Sequence, residues 1–219
     1  MGSYADDALF MSRNNIEYVE LISDDGKSKV MVIPAWQGRV MTTSAAGDEG
    51  DSYGWINYSF IKKRQIDLQF NPVGGEERFW LGPEGGVFSL YFRQGEKQIY
   101  KNWKVPPVLD IEAFKIQSQS KNCICLTKEG CLTNACGTTF YLNIKRTISL
   151  LDINEFAASF NLEFPKDIKA VAYKSDNQIT NIGNESWNKE TGLISVWMLS
   201  MFNPTSATTV FIPYKQSRK

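Results

Sequence analysis

The sequence predicts an all-β fold of stacked, largely antiparallel sheets, and three observations carry that expectation. Short apolar runs with a two-residue period recur along the chain, no long stretch shows a 3.6-residue period, and Gly, Pro, Asn and Asp punctuate the runs. Alternation of this kind belongs to sheets covered on one face and wetted on the other.

In chain order, residues 1–15 read as a loose, flexible terminus, and residues 16–219 as one domain. Residues 16–22 alternate as a strand, Asp24-Asp25-Gly26 signals a turn, and residues 29–33 return as the second arm of a hairpin stopped by Pro34. A short strand over 36–41 and an acidic, glycine-bearing loop over 45–52 follow, and residues 60–69 suit a short helix. Past the glycine-rich centre, residues 87–92 read as a strand, and Trp103 with Pro106-Pro107 marks a crossing loop. From Ile111 the pattern is β again, with Phe114, Ile116 and Ser118 on one side. The clearest strand spans 140–150, where Phe140, Leu142, Ile144, Ile148 and Leu150 share one parity and Arg146 interrupts the apolar face. Residues 156–164, 168–173, 193–202 and 208–212 continue the series as strands, with 193–202 dense enough in apolar residues to be buried.

The composition excludes several function classes. The 219 residues carry 24 basic and 24 acidic side chains, and the longest basic run is Lys62-Lys63-Arg64, so nucleic acid is not an expected partner. No apolar segment is long enough to span a bilayer, and no membrane partner is expected. The absence of histidine removes Ser-His-Asp triads, His-Cys dyads and histidine-ligated metals, together with the commonest acid–base residue near neutral pH. Cys123, Cys125, Cys131 and Cys136 lack the spacing of paired zinc knuckles and read as buried apolar residues before a disulfide. Neither metal nor cofactor is expected. No charged-then-apolar leader is visible, which leaves the compartment open: periplasmic or secreted if a signal was removed, cytoplasmic otherwise.

One string stands apart: Asn71-Pro72-Val73-Gly74-Gly75-Glu76-Glu77-Arg78-Phe79-Trp80-Leu81-Gly82-Pro83-Glu84-Gly85-Gly86. Its glycines permit tight turns and close backbone approach, and its acids, arginine and indole suit a polar ligand with a flat apolar face, such as a sugar ring. A structural turn carrying charges reads equally well.

This string, with Val32-Ile33-Pro34-Ala35-Trp36-Gln37-Gly38-Arg39-Val40-Met41, Tyr53-Gly54-Trp55-Ile56-Asn57, Ile179-Thr180-Asn181-Ile182-Gly183, Trp187, Gly192-Leu193 and Phe211-Ile212-Pro213-Tyr214, resembles the galactose mutarotase-like superfamily, the aldose 1-epimerase-like β-supersandwiches. The resemblance runs from about Glu17 onward and is nearest to an uncharacterised bacterial branch. It implies a sugar site of polar and aromatic residues on the concave face of a large sheet. Mutarotases use a histidine as general acid and a late glutamate as general base. This chain has no histidine, and the late glutamate is expected beyond Lys219. A supersandwich ending at Gln216-Ser217-Arg218-Lys219 would expose sheet edges, so self-association into a homo-oligomer is a further expectation.

Glu77 and Glu84 are the candidate catalytic pair, since burial and mutual repulsion can separate two carboxylate pKa values; surface or turn carboxylates are the commoner case for such residues. Arg39 and Arg78 suit paired hydrogen bonds to a sugar or a bridge between loops. Trp80, Trp103 and Trp187 suit stacking on a pyranose or burial in the core, and Asn57, Asn71 and Asn181 suit sugar binding or turn chemistry. The leading function is carbohydrate binding, with anomer interconversion or a related epimerisation if the protein is an enzyme. The alternatives are a non-catalytic sugar-binding module and a structural or assembly subunit with a vestigial pocket.

Overall fold

In a computed structural model, which describes residues 2–165 and 167–214, the chain is an all-β sandwich of antiparallel sheets with short helices. Helix α1 (Tyr4–Arg13) comes first, so the N-terminus is ordered where a loose segment was expected. Ser3 and Asp6 close a capping box over its first turn. The helix then buries Tyr4, Asp7 and Met11 against the sheet that follows.

That sheet has the order β1 (Val19–Ile22), β2 (Lys29–Ile33), β3 (Arg39–Ser44), and the first two strands are the expected hairpin. Every residue of β2 is buried because the strand is covered twice. Val30 and Val32 point into the main core, while Met31 and Ile33 join Tyr4 and Met11 under α1. Helix α2 (Tyr58–Lys62) occupies only the start of the expected 60–69 helix. Strand β4 (Arg78–Gly82) follows the double glycine, and an isolated bridge between Val40 and Glu77 ties its approach to β3.

Residues 87–92, expected as a strand, are irregular, although Leu90, Tyr91 and Phe92 are buried. After helix α3 (Pro107–Asp110) a four-stranded sheet forms in sequential order: β5 (Lys115–Gln119), β6 (Cys123–Thr133), β7 (Thr139–Leu150) and β8 (Tyr173–Asn181). The alternation read in β7 holds, with Phe140, Leu142, Ile144, Arg146, Ile148 and Leu150 all buried. Strand β5 is exposed along its whole length, and Phe114 just before it is the residue that reaches the core. Between the layers, Val30, Val32, Val40, Phe79 and Leu81 meet Ile124, Leu126, Leu142, Ile144 and Ile148.

The last third departs most from the sequence reading. Residues 156–164 form no strand; helix α4 (Ile153–Ser159) starts at an Asp152 cap whose side chain accepts from the Asn154 and Glu155 amides. Residues 168–172 and 208–212 form no strand either. The expected buried strand at 193–202 shortens to β9 (Ser195–Leu199), which pairs with β4 and leaves Val196 and Trp197 exposed. The four cysteines are free, and only Cys125 is buried, so burial accounts for one of them. The expectation attached to residues 216–219 lies outside the described residues.

Candidate functional site

The double glycine sets the geometry of the centre. Gly74 and Gly75 adopt φ of +96° and +116°; a Cβ on Gly74 would stand 2.3 Å from the Trp55 carbonyl oxygen, and one on Gly75 2.4 Å from Arg39 Cδ. The chain therefore lies directly on β3, where the Glu76 amide donates to the Met41 carbonyl and the Glu77 amide to that of Val40. Two consecutive glutamates are fixed in this way with different surroundings.

Glu77 accepts from Arg146 Nη2 at 2.7 Å, and both residues are buried. The Arg146 guanidinium also lies over the Phe79 ring, 5.4 Å from its centroid. Arg78 donates to the Leu109 carbonyl at 2.8 Å and to Asp110 Oδ1 at 2.9 Å, and stacks 4.2 Å over Trp80. Asp110 Oδ2 accepts from the Asn71 amide and side chain, at 3.0 and 2.7 Å. Arg39 donates to the Gly74 carbonyl at 2.6 Å, and burial pushes its pKa down, reinforced by Arg78. Arg39, Asn71, Glu77 and Arg78 thus belong to a buried polar layer that locks the central string to β3, α3 and β7. The interruption of β7 by Arg146 was its visible signal in the sequence.

The other expected site residues lie elsewhere. Trp80 and Trp103 belong to a stack of rings in which Tyr91 lies between them, 5.5 Å from each, and the Trp80 indole N–H donates to Glu84 Oε1 at 2.7 Å. Asn57 caps α2 and donates to the Pro72 carbonyl. Asn181 holds its own turn, accepting from the Gly183 amide and donating to the Glu185 carbonyl. Asn181 and Trp187 line one cleft of about 570 Å³, the only two of the expected residues that it gathers.

Glu76 is the carboxylate that the sequence reading passed over. It is 3% exposed and accepts from Thr43 Oγ1 at 2.9 and 3.1 Å on its two oxygens. Burial raises its pKa to about 7 against the pull of the Thr43 and Tyr173 hydroxyls, with a smaller push from Glu77. Tyr173, the first residue of β8, lies beside it, and burial with the Glu76 charge pushes the phenol up. Glu76 forms part of the wall of a cavity of about 1000 Å³ that also holds Tyr53, Phe156, Lys169, Tyr173 and Phe202. A wide cavity with convergent polar groups and a carboxyl titrating near neutrality is the arrangement of a binding or acid–base site. Nothing in the sequence separates Glu76 from Glu77, because parity cannot be assigned through two glycines.

Among the described residues no group of three or more His, Cys, Asp or Glu side chains is arranged to hold a metal ion, and no helix is long and apolar enough to cross a membrane. No curated protein and no solved structure matches the chain. Over residues 2–219 the sequence matches a family of unknown function (DUF6786), and the chain belongs to that family.

Proposed function

We propose that the protein binds carbohydrate in the cavity over Glu76. The observation that carries the reading is the juxtaposition of a polar wall, made by Glu76, Thr43 and Tyr173, with the rings of Tyr53, Phe156 and Phe202 around one space of about 1000 Å³. A sugar presents C–H faces that pack on rings and hydroxyls that both donate and accept. A carboxyl with a pKa of about 7 exists in both protonation states at neutral pH and can serve either need. The resemblance of the central string to mutarotase-like proteins supports the same class of ligand.

Glu76 also has the pKa of a general acid–base group, which supports anomer interconversion as the reaction class if there is one. That reaction moves one proton off the anomeric hydroxyl and another onto the ring oxygen, so it needs two carriers. Burial pushes Tyr173 up, which makes it a hydrogen-bond donor rather than a proton source, and Glu77 is committed to Arg146. These two facts favour binding over turnover. Calorimetric titration of reducing monosaccharides tests the reading. Binding should be lost when Thr209, on the cavity wall, becomes Trp; equal affinity in the two proteins would move the site elsewhere, and no binding to either would end the proposal.

A further inference from the structure

The formal net charge of zero hides a local imbalance that the fold assembles from two distant loops. Residues 62–69 and 93–104 together hold seven basic side chains (Lys62, Lys63, Arg64, Arg93, Lys97, Lys101 and Lys104) against Asp67 and Glu96. All seven are exposed, and among the described residues none of them forms a salt bridge. Lys62 lies over the Phe10 ring beside α1 and Arg64 donates to the Arg13 carbonyl, so Lys63, Arg93, Lys97, Lys101 and Lys104 carry the basic surface. The loops are tied side by side: Gln69 Nε2 donates to the Tyr100 carbonyl at 2.6 Å, and the Val105 amide donates to the Gln69 carbonyl at 2.9 Å.

Large apolar side chains project from the same two loops. Ile66 is 67% exposed, Leu68 83%, Ile99 52% and Tyr100 75%. Their presentation is rigid at the base. The Tyr100 ring stacks on Trp103 at 6.2 Å, and Gln98 exchanges two hydrogen bonds with the Gly86 backbone. Single exposed apolar side chains are ordinary, but several large ones grouped on anchored loops and rimmed by polar residues mark an interaction surface.

We propose that this surface docks on an anionic lipid bilayer, with Ile66, Leu68, Ile99 and Tyr100 entering the headgroup boundary and the basic residues meeting lipid phosphate and carboxylate groups. The charge complementarity selects an anionic partner. Three of the four tips are aliphatic and offer no flat face on which a base stacks, which favours a lipid over a nucleic acid. Such docking is peripheral and requires no membrane-crossing segment. It shares no residue with the cavity over Glu76 and stands independently of the sugar reading.

Sedimentation with lipid vesicles tests it, using phosphatidylcholine alone and roughly three parts phosphatidylcholine to one of phosphatidylserine. The protein should pellet with the mixed vesicles and stay in solution with the neutral ones, and about 1 M salt should release it. The double variant Lys97→Glu/Lys101→Glu should bind on the order of tenfold or more weakly, and Leu68→Ser/Tyr100→Ser should weaken binding on the order of tenfold. All four positions are exposed, and circular dichroism checks that each variant keeps its fold. No pelleting, equal binding to both vesicles, or indifference to either double variant would overturn the proposal. Binding of a labelled single-stranded RNA in place of vesicles would overturn it in favour of a nucleic-acid surface.

Discussion

Replacing Glu76 by Gln should make the protein more stable at alkaline pH while leaving it nearly unchanged in acid. In the folded protein this carboxyl keeps its proton up to about pH 7, against an ordinary value of 4.5. Between those values the folded state binds more protons than the unfolded state, so stability falls as pH rises. The penalty is absent below the unfolded value and complete once the pH exceeds the folded one. The displacement from 4.5 to about 7 corresponds to about 3 kcal/mol at 1.36 kcal/mol per pKa unit. Glutamine keeps the shape, carries no charge and never titrates here. It exchanges the Thr43 hydrogen bond for a neutral one, which costs about 1 kcal/mol at most. Urea unfolding of both proteins at several pH values between 4.5 and 8 isolates the site, since every other group titrates in both. The stability difference should move by about 3 kcal/mol in favour of the variant as pH rises. A flat difference across that window would refute the assignment of a neutral, buried carboxyl.

Three further substitutions probe the scaffold around it. Arg146→Met strands the buried Glu77 carboxylate and should cost about 3–5 kcal/mol in urea unfolding, whereas adding Glu77→Gln to the same protein should restore part of the loss; equal stability of the single and double variants would contradict the pairing. Gly75→Ala places a methyl 2.4 Å from Arg39 Cδ at a φ of +116° and should destabilise by at least about 2 kcal/mol, read as a lowered thermal midpoint. Ser3→Ala removes the α1 capping box and should cost about 1 kcal/mol, with faster amide exchange confined to the helix and the strands it covers.

Where one face of a strand is buried and the other wet, the sequence was readable. The β1–β2 hairpin and the alternation of β7 are of that kind, and Arg146 announced itself by breaking an apolar row. Helix α1 was missed because its buried residues include Tyr4, Asp7 and Met11, too sparse and too polar for a periodicity test, although Ser3 and Asp6 form a legible cap. Missing α1 also hid why all five residues of β2 are buried. Helix α4 presented Phe156 and Phe160 four apart, which reads as strand when the Asp152 cap is overlooked.

Within the candidate site the residue types stood out in the sequence and their arrangement did not. The string around Gly74-Gly75 does deliver carboxylates to the centre, but which glutamate meets Arg146 and which faces the cavity depends on positive φ values that composition does not reveal. Asn57, Asn71 and Asn181 make local side-chain-to-backbone bonds of the kind their turn-rich setting offered as the alternative. Lys62-Lys63-Arg64 looked isolated along the chain because the basic residues that join it lie some thirty positions later in sequence, brought alongside by the Gln69–Tyr100 bond.

The proposed occupant of the cavity over Glu76 is a sugar. The most direct measurement is one NMR sample per reducing monosaccharide, following saturation transfer to the ligand and exchange between its anomers. Saturation transfer from the protein is expected, abolished in Thr209→Trp, with anomer exchange no faster than in buffer. Exchange that is accelerated by the wild type and lost in Glu76→Gln would instead mark a mutarotase working without histidine. Absence of saturation transfer across the panel would rule out a monosaccharide site in the cavity.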